Sequence, residues 1–116
     1  MKILKLSGFD SKDISSFDVN IFFDACRSDK EFISKINSSI ILNPSLVSCE
    51  NYDALLDSFS NFLIDNSVEK IGFMIRGKDF CSPNIRWNIA LDVLVSAEDI
   101  AKAEGMECLI TLLIIE

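Results

Sequence analysis

The sequence predicts an α/β domain, a small parallel sheet layered with helices. Three observations carry this. Short apolar runs at Lys2–Leu6, Lys70–Ile75 and Cys108–Ile115 have strand length. Amphipathic helical stretches lie between them. The last run is nearly continuous hydrophobe, which suits an inner parallel strand covered on both faces. Helical crossovers are the usual way to join parallel strands. A chain of 116 residues has the size of one domain, so a single domain over 1–116 with three main strands is expected.

Taken in order, Lys2–Leu6 alternates charge and hydrophobe and reads as a short strand. Residues 7–17 are polar and turn-rich. Asp18–Ala25, with Val19, Ile21, Phe22 and Phe23, fits either a strand or part of a helix. Ser28-Asp29-Lys30-Glu31 matches a capping box, with Ser28 as cap and Glu31 reaching back. Phe32, Ile33 and Ile36 follow at helical spacing, so a short helix runs to about Ser38. Asn43-Pro44 signals a turn.

The next helix is the clearest. From Glu50 to about Ile64, at about 100° per residue, Leu55, Phe59, Phe62 and Leu63 share one arc, with Leu56 at its edge. Glu50, Asp53, Asp57, Ser60 and Asn61 share the opposite arc. Lys70–Ile75 reads as a buried strand. Ser82-Pro83 is a capping signal with proline at a first helical position. A longer helix covers roughly Asn88–Glu104, with Ile89, Val93, Leu94, Ala97, Ile100 and Ala101 as its apolar stripe and Gly105 as its terminator.

Composition then excludes several functions. Eleven Lys+Arg against eighteen Asp+Glu give a net charge of −7. Such a chain is repelled by nucleic-acid phosphates and by anionic membranes, and no basic run offsets this. A cationic partner is favoured instead. There is no histidine, so Ser-His-Asp and Cys-His mechanisms are excluded within this chain. Cysteines at 26, 49, 81 and 108 show no C-x-x-C spacing, so no zinc site is expected. The amino terminus lacks the apolar core of a signal peptide and no run is long enough to span a bilayer. A cytoplasmic protein with reduced cysteines is expected.

No phosphate-binding or metalloprotease motif is present, and no cofactor or catalytic residue is expected. Cys81, just before Ser82-Pro83, would gain reactivity if a helix began there. Without a histidine base, a plain surface or core cysteine is the simpler reading. Asp53 and Asp57 lie four residues apart, so both leave one helix face. Like charges at that spacing are mildly destabilising, and no Lys or Arg lies between residues 36 and 69 to offset them. Something other than helix stability is therefore a reason for their presence.

At this helix the sequence resembles the barstar family, small intracellular inhibitors of barnase-type ribonucleases. Glu50-Asn51-Tyr52-Asp53-Ala54-Leu55-Leu56-Asp57 is similar to the family's N-L-D-A-L-W-D-like helix start. Ala101-Lys102-Ala103-Glu104-Gly105 and the apolar strand after it form the second match. Phe73–Ile75 and Lys78-Asp79-Phe80 fall where the family has its middle strand and the helix after it. The resemblance covers about residues 28–115. It implies a three-stranded parallel sheet flanked by helices. It also implies a mode of action in which the acidic second helix and the loop before it enter a nuclease active site.

By that resemblance Asp53 and Asp57 correspond to the two helix carboxylates, Asn51 to the asparagine at the helix start, and Ser60 and Asn61 to positions near the contact edge. The expected partner-binding surface is Ser48, Cys49, Glu50, Asn51, Asp53, Leu56, Asp57, Ser60 and Asn61. The expected partner is a cationic nuclease toxin, bound one to one. The chain also departs from the family. Val47-Ser48-Cys49 replaces the usual aromatic residues and glycine, and Leu56 takes the place of an exposed tryptophan. Ile100 stands where the family has an acidic residue, for which Glu98 or Asp99 would substitute. A different basic nuclease toxin therefore fits as well as a barnase-like one. The alternatives are a barstar-like structural or regulatory domain that self-associates through Leu56, and an enzyme dependent on carboxylates or a thiol.

Overall fold

The structure, a computed structural model, describes residues 1–7, 16–46 and 49–116. The elements are β1 (Lys2–Leu6), β2 (Val19–Phe23), α1 (Asp29–Ser39), α2 (Tyr52–Asp65), β3 (Lys70–Arg76), the single turn α3 (Gly77–Phe80), α4 (Trp87–Ala103) and β4 (Leu109–Ile115). The strands form one four-stranded sheet in the order β1-β4-β3-β2, and every pairing is parallel. The expected α/β class holds, but the expected three strands become four. The addition is β2, within the stretch that fitted either helix or strand. Its Ile21 and Phe23 point into the main core while Asn20 and Phe22 turn to the other face, so the strand alternation wins over the helical option.

One face of the sheet carries the helices. Ile21 and Phe23 of β2, Ile71, Phe73 and Ile75 of β3, and Ile110, Leu112 and Ile114 of β4 pack against Phe32, Ile33 and Ile36 of α1, Leu55, Phe59 and Leu63 of α2, and Ala90, Val93, Leu94, Ala97 and Ala101 of α4. The other face is a smaller cluster of Met74, Leu113 and Ile115 with Leu6, Phe17 and Phe22. Gly72 lies under Phe17, and a Cβ there would stand 2.8 Å from the ring, so only glycine fits. The apolar continuity of β3 and β4 in the sequence follows from this two-sided burial.

The helix ends test the predicted signals one by one. Ser28 caps α1, its Oγ accepting from the Glu31 N–H at 3.1 Å. The Glu31 carboxylate reaches back to the N–H of Arg27 at 2.7 Å, one residue beyond the capping-box position. α2 begins at Tyr52 rather than at the expected Glu50, because Asn51 caps it, its Oδ1 accepting from the N–H groups of Asp53 and Ala54. Gly105, at φ +84°, closes α4. There Met106 N–H bonds Ala101 O and Gly105 N–H bonds Lys102 O, the paired bonds of a Schellman motif.

Two expectations fail. Ser82-Pro83 does not start a helix: α4 begins at Trp87, and the Ser82 hydroxyl instead donates to the Arg27 carbonyl at 3.0 Å. Cys81 therefore follows the C-terminal end of α3 rather than preceding a helix, and no macrodipole activates it. In α4 the predicted stripe holds at Val93, Leu94, Ala97 and Ala101, but Ile100 is exposed and Glu98 is buried. The reason is a set of three donors around Glu98: Lys102 Nζ at 3.1 Å, one turn on along α4, and two that the fold brings in, the Met1 ammonium at 2.8 Å and the Ile110 N–H at 2.7 Å.

Candidate functional site

The acidic row of α2 is positioned from two sides. α1, α2 and α4 all begin at the end of the sheet where the strands finish, and their first residues meet. Asp29, at the start of α1, accepts from the Tyr52 hydroxyl at 2.6 Å, from the Arg86 N–H at 2.9 Å and from Arg86 Nε at 2.8 Å. The Arg86 guanidinium also lies 5.5 Å from the centre of the Tyr52 ring. One carboxylate thus ties together the first turns of three helices. The C-terminal edge of a parallel sheet is also where α/β proteins usually place ligands.

The second constraint is the chain between α1 and α2, which returns along the flank of α2. Asn61 Nδ2 donates to Asn43 O at 3.3 Å, and Ser58 Oγ donates to Pro44 O at 2.9 Å. Asn37 Oδ1 accepts from Leu46 N–H at 2.7 Å, which pins the strap to α1. The Asn43–Pro44 peptide is cis, at the predicted turn. Next to the cap, the Asn51 N–H lies 3.3 Å from Cys49 Sγ.

The predicted site residues separate accordingly. Glu50, Asn51, Asp53, Asp57 and Asn61 are exposed on one side of α2, and Cys49 is half-buried beside them. Ser48 lies outside the described residues, as does its neighbour Val47. Leu56 is half-buried and packs against the main core, so it is not a free apolar projection. Ser60 is a correction: it is only 4% exposed and its hydroxyl has no hydrogen-bond partner among the described residues. The helical arc allowed Ser60 to be solvent-facing, but α2 is flanked on both sides. The strap occupies the flank of Ser58 and Asn61, and α4 packs along the helix on its other side. The exposed set narrows to Glu50, Asn51, Asp53, Asp57 and Asn61.

Asp53 and Asp57 take part in no side-chain hydrogen bond or ion pair with the described residues. Asp53 N–H is held by the cap, and its carboxylate stands in the first turn of α2, where the macrodipole favours negative charge. Of the residues named as substitutes for the family's second acidic position, Glu98 is consumed in the fold and Asp99 is exposed.

Sequence reasoning missed the Asp29–Tyr52–Arg86 cluster, whose members are brought together from three elements. Burial pushes the Asp29 carboxyl up, but the Tyr52 hydroxyl and the Arg86 N–H and guanidinium outweigh it and hold it below its ordinary value. Burial and the Asp29 charge push the Tyr52 hydroxyl well above its ordinary value. Cys26, at the end of β2, is pushed up to about 12, first by burial and then by Glu31, so it is an inert thiol. A surface depression of about 610 Å³ runs along α1 from Asp24 to Ser38 and includes no residue of α2. All four cysteines are free thiols. Among the described residues, no helix is long and apolar enough to cross a membrane.

No family model, curated protein or solved structure matches this chain.

Proposed function

We propose that this protein is a stoichiometric inhibitor, an immunity protein of barstar type, that occupies the active site of a cationic ribonuclease or nuclease toxin inside the producing cell. The observation that carries this reading is the pair Asp53 and Asp57, exposed one turn apart on α2 with no cation among the described residues to neutralise them. A nuclease holds substrate phosphates with arginine, lysine and histidine. A rigid row of carboxylates offers those groups the same charge at helical spacing. The net charge of −7 adds long-range attraction, which raises the association rate at low salt. Such a protein acts by binding and needs no cofactor, metal, nucleic acid or membrane.

The test expresses the tagged protein beside its neighbouring genes and assays the basic nuclease that co-purifies with it; an empty pull-down overturns the reading. Wild type should inhibit it at a ratio of one to one, with association that slows as salt rises. Asp53→Ala and Asp57→Ala should each raise Kd by roughly 30-fold or more, because each strands desolvated cations in the complex. A double alanine variant that folds and still inhibits like wild type overturns the reading.

A further inference from the structure

We propose that the β1 edge of the sheet is a homodimer interface, where β1 of a second copy adds antiparallel to form one continuous eight-stranded sheet. β1 is an outer strand, paired only with β4. The bond from Glu116 N–H to Leu6 O, at 2.9 Å, fixes which backbone groups are used. In a parallel ladder the N–H and C=O of one residue point to the same side and alternate along the strand. Leu6, Leu4 and Lys2 therefore direct theirs to β4, and Ile3 and Lys5 direct theirs outward, without a partner strand among the described residues.

Apolar side chains collect at the same edge. Of the five large hydrophobic residues that stand out as exposed among the described residues, Ile3 (49%) and Leu4 (43%) lie on β1 itself. Val95 (36%) lies on the side of α4 that carries Glu98, and the Met1–Glu98 contact puts that side beside β1. α4 runs antiparallel to the strands, so Val95, one turn before Glu98, falls next to the register of Ile3.

This edge is complementary to itself. A two-fold axis through Leu4 pairs Ile3 with Lys5 of the second copy and Lys5 with its Ile3. These are the residues with outward backbone groups, so both pairs exchange hydrogen bonds as an antiparallel ladder requires. Leu4 meets Leu4 across the axis as the closer, non-hydrogen-bonded pair. Lys2 faces Leu6, so no lysine stands opposite a lysine. Lys5 of the second copy comes to lie on the helix-bearing face, on the flank of α4 where Asp92 and Asp99 are exposed beside Val95. That gives the pairing charge complementarity. Lysines on an edge strand ordinarily blunt it; here the symmetric register gives them apolar and acidic neighbours instead.

The test is sedimentation equilibrium on the intact protein, at concentrations up to about 100 μM, since so short an interface belongs to the small, weak class. Wild type should show twice the monomer mass at the upper end. Leu4→Lys and Leu4→Glu should each be monomeric with unchanged circular dichroism, because each sets like charges against themselves on the axis. Mixing the two should restore the dimer, which a mere loss of folding would not allow. Lys5→Glu should weaken wild-type association by roughly tenfold. A wild type that stays monomeric throughout, or a dimer that persists in both Leu4 variants, overturns the proposal.

Discussion

Glu98 on α4 and the pair Asp53 and Asp57 on α2 carry the same functional group in opposite settings. Glu98 is 3% exposed and receives the Met1 ammonium, Lys102 Nζ and the Ile110 N–H. Asp53 and Asp57 stand in water and receive nothing from the described residues. A buried carboxylate is tolerated only when its lone pairs are filled, so Glu98 is committed to the fold. The exposed pair lacks such partners and adds repulsion on its own helix. Its charge is free for an external cation. The difference separates an acidic residue that holds the protein together from acidic residues that are free to be used.

Removing Glu98 should show the largest effect. Glu98→Ala strands an ammonium and a buried N–H and should cost about 3–5 kcal/mol in urea unfolding. If the loss matches that of an exposed carboxylate, the contrast collapses. A second expectation follows from pH. Burial pushes the Glu98 carboxyl up, but the ammonium, the Ile110 N–H and Lys102 outweigh it and hold it below its ordinary value of 4.5. Asp29 is likewise held below its ordinary value. A carboxyl lowered in the folded state contributes stability that is complete above its unfolded value and is lost as pH falls through the folded one. Stability should therefore decline from about pH 4.5 downward. Glu98→Gln should flatten that decline.

On α2 itself the effects should be smaller. Asn51→Ala removes the acceptor for two backbone N–H groups and should cost about 1 kcal/mol. Asp57→Asn relieves like-charge repulsion and should change thermal stability by less than about 0.5 kcal/mol, in the stabilising direction. A large destabilisation by Asp57→Asn would mean that the carboxylate has a structural partner and is not free for binding.

Much of this was legible in the chain. The cap at Ser28, the stop at Gly105 and the apolar runs of β3 and β4 are local signals, each written within a few residues. The acidic side of α2 was legible too, because a helix converts spacing into direction. Ser60 was misread because arc position does not say which neighbouring helix closes a flank. Glu98 was misjudged because two of its three donors lie at residue 1 and residue 110, with only Lys102 nearby on the helix, and Ile100 was wrongly preferred for being apolar. The Asp29–Tyr52–Arg86 cluster left no local trace for the same reason.

The sequence by itself determined the α/β class, most helix ends, and the presence of a carboxylate row on α2 in an acidic chain without histidine. Those follow from short-range geometry and from composition. Only the tertiary structure decided that β2 completes a fourth strand, that Glu98 is internal, that Ser60 leaves the acidic face, and that β1 is the outer strand of the sheet. Each of those depends on which distant elements become neighbours, and that is set by packing the whole chain around one core.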